Sequence, residues 1–223
     1  MFAALVSAAF AFTVQTVPGT DQPVFWGRMP LDYTFVDDTR LPPGSGGAVA
    51  RAFEAWSAVD GTAAGFEAEP AFDALPTVDY DEHQVVFLAA DWPYGEEALA
   101  ITSVWSNEAS GELVHFDVRV NPTVDWAIDG DVDCFDLESA LTHEVGHVLG
   151  LEHSELPEAT MFAELAPGHV RRGLHEDDED GLRFLYPDDG EAAASCSTAP
   201  HAVGWLGMGV ALVGLWRRRG GTP

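Results

Sequence analysis

The stretch at positions 143–153, HEVGHVLGLEH, constrains this chain more than any other part of the sequence. Residues four apart share one face of a helix, so His143 and His147 can both present an imidazole to one metal ion. Gly150 can adopt the left-handed conformation that ends a helix and turns the chain, which would bring in His153 as a third ligand. The stretch therefore predicts a helix, a sharp turn and a metal site that depends on both.

The residue types indicate which kind of metal site this is. Three neutral imidazoles leave a tetrahedral zinc ion with one open position, the arrangement of catalytic rather than structural sites. A water molecule at that position becomes acidic enough for Glu144 to deprotonate it near neutral pH. The alternative is a helix that carries H-E-x-x-H by chance, and the added Gly150 and His153 disfavour it. We therefore predict one catalytic Zn²⁺ ion with Glu144 as the base.

Length and charge limit the classes of protein that this chain can be. Its 223 residues can form one domain of about 150 to 180 residues, with tails. Acidic residues number 37 against 10 basic ones, which gives a net charge of −27. Such a surface repels nucleic acid, so we expect no partner of that class. A solvated acidic surface explains the charge better than a preference for cationic substrates. We also expect the protein to be a monomer.

The two cysteines and one acidic loop have open roles. Cys134 and Cys196 are the only cysteines, so no disulfide framework is expected, and whether the two pair is undecided. We interpret Cys134 as structural. The loop 129–133 holds three aspartates, an oxygen cluster of the kind that Ca²⁺ prefers. Its spacing differs from that of an EF-hand, so an ordinary acidic loop is favoured and Ca²⁺ stays the alternative.

Apolar periodicity predicts three helices. The first covers 49–59 and stops at the following Asp-Gly pair. The second follows Asp136, which stands at the N-cap position, and one of its sides should be buried. That side consists of Leu137, Leu141, Val145 and Val148. The third covers 174–186, begins with a run of acidic residues that suits a helix start, and ends at a proline.

Alternating and continuous apolar runs predict the strands. The runs 98–105 and 112–121 should pair as a hairpin across a turn-rich link. His115 and Asp117 fall on one face of it, where we expect a hydrogen-bonded surface pair. The other predicted strands are 24–26, 31–36, 66–69 and 84–89.

The two ends of the chain indicate export. Residues 1–11 are apolar and end in a small-x-small pattern, which predicts a signal peptide, although no basic residue precedes the run and a buried strand is the alternative. Residues 188–201 form a polar linker. Residues 202–219 are an apolar run followed by three arginines. The run is shorter than the roughly 20 residues that cross a bilayer, so we interpret it as an anchor or sorting segment that contacts the membrane.

The residues described so far resemble those of the metzincin metallopeptidases, and within them the matrixins, the group of the matrix metalloproteinases and their bacterial relatives. Met161 stands where the family has its Met-turn, and Ser154 follows the third histidine as in matrixins. Ala163 occupies the position where other metzincins carry a zinc-binding tyrosine. The tail from Cys196 to the arginines is similar to the C-terminal sorting signals of myxobacterial surface proteins.

The resemblance implies a fold and a site. It covers a catalytic domain at 23–187 and implies an α+β (α/β-like) metzincin fold. This fold has a twisted, mostly parallel sheet with one antiparallel edge strand, an active-site helix and a C-terminal helix. Residues 98–104 would be the edge strand, and a substrate would lie beside it as an added strand. Met161 would form an apolar floor below a zinc ion bound by His143, His147 and His153.

The resemblance also implies an activity. We expect a zinc endopeptidase that acts on proteins or peptides and is secreted or held in a bacterial envelope. The alternative is a non-catalytic envelope protein that uses the same scaffold for binding. The histidine pattern of the accessory metal sites in vertebrate matrixins is missing. No cysteine precedes Cys134, so the propeptide cysteine that keeps those enzymes latent has no counterpart in this sequence.

Overall fold

The computed structural model describes residues 11–71, 84–188, 208–213 and 216–217, the last two ranges as backbone only. The predicted signal peptide, apart from Ala11, lies outside the described residues. So do Cys196 and almost all of the predicted linker.

The described residues contain three helices, close to where the sequence predicts them. Helix α2 begins after Asp136, whose carboxylate accepts a hydrogen bond from the backbone N–H of Ser139 (2.9 Å), so the predicted N-cap is confirmed. Helix α3 begins after His175, which has an N-cap role that was not predicted from the sequence. The helices are α1 (Ser45–Ser57), α2 (Leu137–Val148) and α3 (Glu176–Leu185).

Strands make up most of the remaining regular structure. The long predicted runs all form strands, whereas five short strands or tail strands were not predicted. The strands are β1 (Phe25–Trp26), β2 (Leu31–Phe35), β3 (Phe66–Ala68), β4 (Val85–Leu88), β5 (Ala100–Asn107), β6 (Glu112–Val120), β7 (Trp126–Ala127), β8 (Phe135–Asp136), β9 (Glu164–Leu165), β10 (Met208–Val213) and β11 (Trp216–Arg217).

One mixed sheet organises the domain. Its order is β10-β5-β6-β4-β2-β3, with β1 also paired to β6. The pairs β2–β3, β2–β4, β4–β6 and β1–β6 are parallel, whereas β5 is antiparallel to β6 as the predicted hairpin. The predicted fold, a mostly parallel sheet with an antiparallel strand and an active-site helix, is confirmed. One detail differs, because β10 pairs with β5 and takes the outer position expected for β5.

Helix α2 lies inside the protein. It contacts both α1 and β5, and every one of its residues is buried. The indole N–H of Trp56 on α1 donates to the carbonyl of Thr142 on α2 (2.8 Å), which joins the two helices through a buried hydrogen bond. The prediction of a single buried side was therefore too narrow. A helix enclosed by a sheet, a second helix and loops buries its polar side chains as well, and those side chains form the site.

The predicted hydrogen-bonded surface pair on the hairpin is wrong, because the pair is buried and Asp117 Oδ1 has no hydrogen-bond partner among the described residues. His115 and Asp117 do lie together, with His115 Nε2 3.4 Å from Asp117 Oδ1, but both residues are buried. Arg119 donates to the other carboxylate oxygen of Asp117 (2.9 Å), and the Trp105 ring meets His115 edge-on. Alternation along β6 gave the shared face correctly, whereas the Trp105 ring that meets His115 belongs to β5.

No helix among the described ranges has the length and apolar character to cross a membrane. Within 202–219, the part that is described consists of β10 and β11. The role of this segment in anchoring or sorting stays a prediction.

Candidate active site

The end of α2 turns sharply at Gly150. Gly150 has φ 94°, in the left-handed region that was predicted for it. The Leu151 N–H donates to Gly146 O (3.0 Å) and the Gly150 N–H to His147 O (3.1 Å), which is the bond pattern of a Schellman motif. Any Cβ at Gly150 would also lie 3.2 Å from the carbonyl oxygen of Val24. The turn therefore requires glycine for both conformation and space.

This turn brings three histidines together. His143 and His147 extend from successive turns of α2, and His153 follows from the chain beyond Gly150. One ring nitrogen from each lies within 4.8 Å of the others, a spacing that fits ligands of a single metal ion. The three residues predicted as ligands are thus placed around one point.

Hydrogen bonds orient two of the imidazoles. His143 Nδ1 lies 2.8 Å from the carbonyl oxygen of Thr160, and His147 Nδ1 lies 2.8 Å from that of Leu151. A carbonyl only accepts, so each Nδ1 carries the proton and each Nε2 keeps its lone pair. Both Nε2 atoms are buried and have no hydrogen-bond partner among the described residues. A buried acceptor without a partner costs about 1 to 3 kcal/mol in lost hydration. A metal ion bound by both Nε2 atoms and by the third imidazole would remove this cost.

The electrostatics of the site keep these imidazoles neutral. Burial lowers the pKa of His143 well below its usual value, and the neighbouring His147 and His153 lower it further. Burial, followed by the charge of His153, lowers the pKa of His147 to about 3. Neutral imidazole is the form that binds metal, so both residues are ready to act as ligands at neutral pH.

Glu144 lies beside the histidines and is fully buried. The hydroxyl of Thr102 on β5 lies 2.6 Å from Glu144 Oε2, to which it donates, and 3.1 Å from the Glu144 carbonyl oxygen. The carboxylate is therefore held between α2 and the sheet. Thr102 was not predicted as a site residue, since a threonine in a strand carries no signal of its own.

Met161 is almost wholly buried and lies close to Gly146 of α2. A Cβ at Gly146 would collide with Met161 Sδ and would lie 2.8 Å from Trp56 Cζ2. Gly146 therefore leaves the space in which Met161 packs against α2. The floor below the metal that the family resemblance implies for Met161 stays a prediction.

The acidic start of α3 fixes the loops of the site. Buried Asp178 accepts hydrogen bonds from the backbone N–H groups of Thr160 (2.8 Å) and Met161 (3.0 Å), and Asp177 accepts one from the Ser154 hydroxyl (2.7 Å). The sequence interpretation of these carboxylates as helix-start charges was incomplete. Because Thr160 in turn accepts from His143, Asp178 acts on a candidate ligand through one intervening residue.

Cys134 lies apart from these residues and has a free thiol. Burial raises its pKa, and Asp131 and nearby aspartates raise it further, which disfavours the reactive thiolate. The interpretation of Cys134 as structural stays a prediction. The Ca²⁺ alternative for the neighbouring loop stays a prediction.

Comparisons with known proteins agree with this geometry. A family model described as matrixin, of peptidase group M10, matches residues 25–187. Metalloendoproteinase 2-MMP of Arabidopsis thaliana is 29% identical over 191 residues, covering 79% of this chain and 47% of the relative. Metalloendoproteinase 1 of Glycine max is 30% identical over 168 residues, covering 72% of this chain and 51% of the relative. The chain spans about half the length of these relatives. With a match across most of its sequence, the chain belongs to the matrixin family.

Proposed function

We propose that this protein is a zinc-dependent endopeptidase that hydrolyses peptide bonds in proteins outside the cytoplasm. The observation that carries the proposal is the convergence of three imidazole nitrogens within 4.8 Å beside a fully buried glutamate. The M10 matrixin match and the metalloendoproteinase names of its relatives support the same reaction class.

The chain's own side chains have distinct roles in this proposal. His143, His147 and His153 would hold a zinc ion, which, when bound, polarises a carbonyl and acidifies water. Glu144 takes the proton from the attacking water and delivers it to the leaving amine. Thr102 holds the Glu144 carboxylate in place through the 2.6 Å hydrogen bond. Met161 supports the three ligands from below without binding the metal.

Peptide substrates would bind by main-chain pairing. Strand β5 carries Thr102, whose hydroxyl donates to Glu144, and β9 begins a few residues after Met161. An extended peptide between these strands would place its carbonyl near Glu144. Side-chain selection would then depend on the loop after Met161, in the region 162–168.

Replacement of Glu144 by alanine tests the mechanism. We expect cleavage of a quenched fluorescent peptide to fall by roughly 10²- to 10⁴-fold, because general-base catalysis contributes about that factor. Zinc content, measured by mass spectrometry of the purified protein, should stay at one ion per chain. Glu155→Ala is the matched control, since Glu155 is an exposed glutamate near the third histidine. Unchanged cleavage in the Glu144 variant would refute the mechanism, and no chelator-sensitive cleavage by the unaltered protein would favour the non-catalytic binding alternative.

The location of the protein belongs to the same proposal. The predicted signal peptide, linker and C-terminal segment support a protein that is secreted or held at a bacterial envelope. Mass spectrometry of the mature protein from its native host would give both termini and any bound metal. A mature form that keeps residues 1–11 would contradict the predicted signal peptide.

A further inference from the structure

We propose that the C-terminal segment, defined as strands β10 and β11 together, occupies the peptide-binding groove of its own chain and competes with substrate. The claim that the segment competes with substrate rests on the proposed function, whereas the pairing of the strands is independent of it. The segment would then be a bound peptide that the protein supplies to itself.

The first observation is the pairing of β10 with β5. The two strands are antiparallel, and their register runs from Met208 opposite Asn107 to Val213 opposite Thr102. Without β10, strand β5 would be the outer strand of the sheet, with one row of N–H and C=O groups left open. The segment therefore uses the same backbone groups that an added peptide strand would use.

The second observation is where this register leads. Val213 stands opposite Thr102, and the Thr102 hydroxyl donates to the Glu144 carboxylate at 2.6 Å. The last residue of β10 is thus paired with the residue that donates to the candidate base. A peptide of similar register on β5 could not bind while β10 is in place.

The third observation is the pairing of β11 with β9. Trp216 and Arg217 of β11 pair in parallel with Glu164 and Leu165 of β9, which closely follows Met161. One continuous segment is therefore antiparallel to β5 and, a few residues later, parallel to β9. The segment thus pairs first with the strand that carries Thr102 and then with the strand that closely follows Met161, as a peptide bound between them would.

Composition and length suit this role. Residues 202–216 contain no charged residue in a chain of net charge −27, and three of its 10 basic residues follow directly at 217–219. The 19 residues at 189–207 can extend over roughly 65 Å at about 3.4 Å per residue, several times the radius of gyration of about 15 Å expected for this domain. Binding within one chain is therefore within reach, and a tether of this kind gives effective concentrations near the millimolar range.

A double substitution in the full chain tests the proposal. Val210→Pro with Ala211→Pro removes two successive N–H donors of β10, and in an antiparallel strand one of them faces β5. Gly220→Pro with Gly221→Pro is the matched control, because it places two prolines in the same tail beyond the paired strands. Neither pair of substitutions touches the histidines or Glu144.

Two measurements are made on each protein. Amide hydrogen exchange should accelerate at every second residue of β5 between Thr102 and Asn107 in the Val210/Ala211 variant, while the alternate amides that face β6 stay protected. For a quenched peptide substrate, KM should fall by roughly ten-fold with kcat unchanged, because only competition is removed. The Gly220/Gly221 control should match the unaltered protein in both.

The outcomes separate this proposal from the proposed function. Unchanged exchange in β5 would overturn the pairing, and faster exchange with an unchanged KM would overturn the competition. A KM that rises with protein concentration would assign the bound strand to a second copy and overturn binding within one chain. If neither the unaltered protein nor the Val210/Ala211 variant cleaves peptide, the proposed function fails. The exchange data still decide the pairing in that case.

Discussion

Asp178→Asn offers a direct test of how α3 supports the site. The carboxylate is almost fully buried and accepts three backbone hydrogen bonds, from Thr160 (2.8 Å), Met161 (3.0 Å) and His175 (2.8 Å). The Met161 N–H reaches one oxygen, and the other two reach the second oxygen. An asparagine has a single acceptor oxygen, so at least one buried N–H would face an NH₂ group.

The expected loss of stability in Asp178→Asn follows from these contacts. A hydrogen bond to a charged group contributes about 1.5 to 3 kcal/mol, and the unpaired donor adds a desolvation cost. Asparagine avoids part of the burial cost that raises the pKa of Asp178, which offsets some of the loss. We expect a net loss of about 2 kcal/mol in the free energy of unfolding, or roughly 4 to 8 °C in Tm for a domain of this size.

The same substitution should weaken metal binding. Thr160 accepts from His143 Nδ1 at 2.8 Å, so a shift of the Thr160 backbone changes the orientation of a candidate ligand. Loss of such support typically lowers metal affinity by about 10- to 100-fold. Thermal unfolding of the metal-free protein and zinc competition against a chelator would measure the two effects.

The control for this prediction is Glu176→Gln. Glu176 is an exposed acidic residue in the first turn of the same helix, so it shares the helix-start charge but not the buried contacts. Equal effects of the two substitutions on Tm and zinc affinity would refute the reasoning and leave Asp178 as a helix-start charge only.

Two further predictions concern Thr102 and acid stability. Thr102→Val keeps the shape of the side chain but removes the donor to Glu144, so kcat should fall by about ten-fold or more with little change in KM. Thr102→Ser keeps the donor and should retain most of the kcat of the unaltered protein. A change confined to KM would contradict this role of Thr102. For the metal-free protein, the pKa of His147 is about 3 when folded and near 6.5 when unfolded. The unfolded state therefore binds more protons between these values, and the free energy of unfolding should fall on acidification through this window, by up to about 1.4 kcal/mol per pH unit from this residue. Urea titrations from pH 7 to pH 4 should show a shallower dependence in His147→Gln, and an equal slope would refute the assignment.

The parts of the site that could be predicted from sequence are those fixed by local geometry. His143 and His147 are one helical turn apart, and Gly150 takes the left-handed conformation that glycine allows. Their placement depends on a few consecutive residues, so spacing was sufficient. The family resemblance supplied Met161 and the sheet arrangement, which no spacing rule would give.

The supporting contacts could not be predicted in this way because they join residues distant in sequence. Thr102 meets Glu144 across 42 positions, and Asp178 meets Met161 across 17. Neither side chain differs in type from many others in its element. The burial of all of α2 has the same origin, since a helix pattern shows its preferred face but not how many other elements cover it.

The C-terminal segment shows a different limit of prediction from sequence. An apolar run of this length, rich in glycine and valine, has the composition of a membrane-proximal segment and of a buried strand alike, and hydropathy alone does not separate them. What distinguishes the two is whether a sheet edge needs a partner. Strand β5 has eight residues, and under the proposed function its edge accepts peptides, so a shorter strand or blocking charges would harm peptide binding. Under the proposed occupation of the groove, the uncharged strand β10 from the same chain protects this edge while the residues of β5 stay suited to pairing with a peptide.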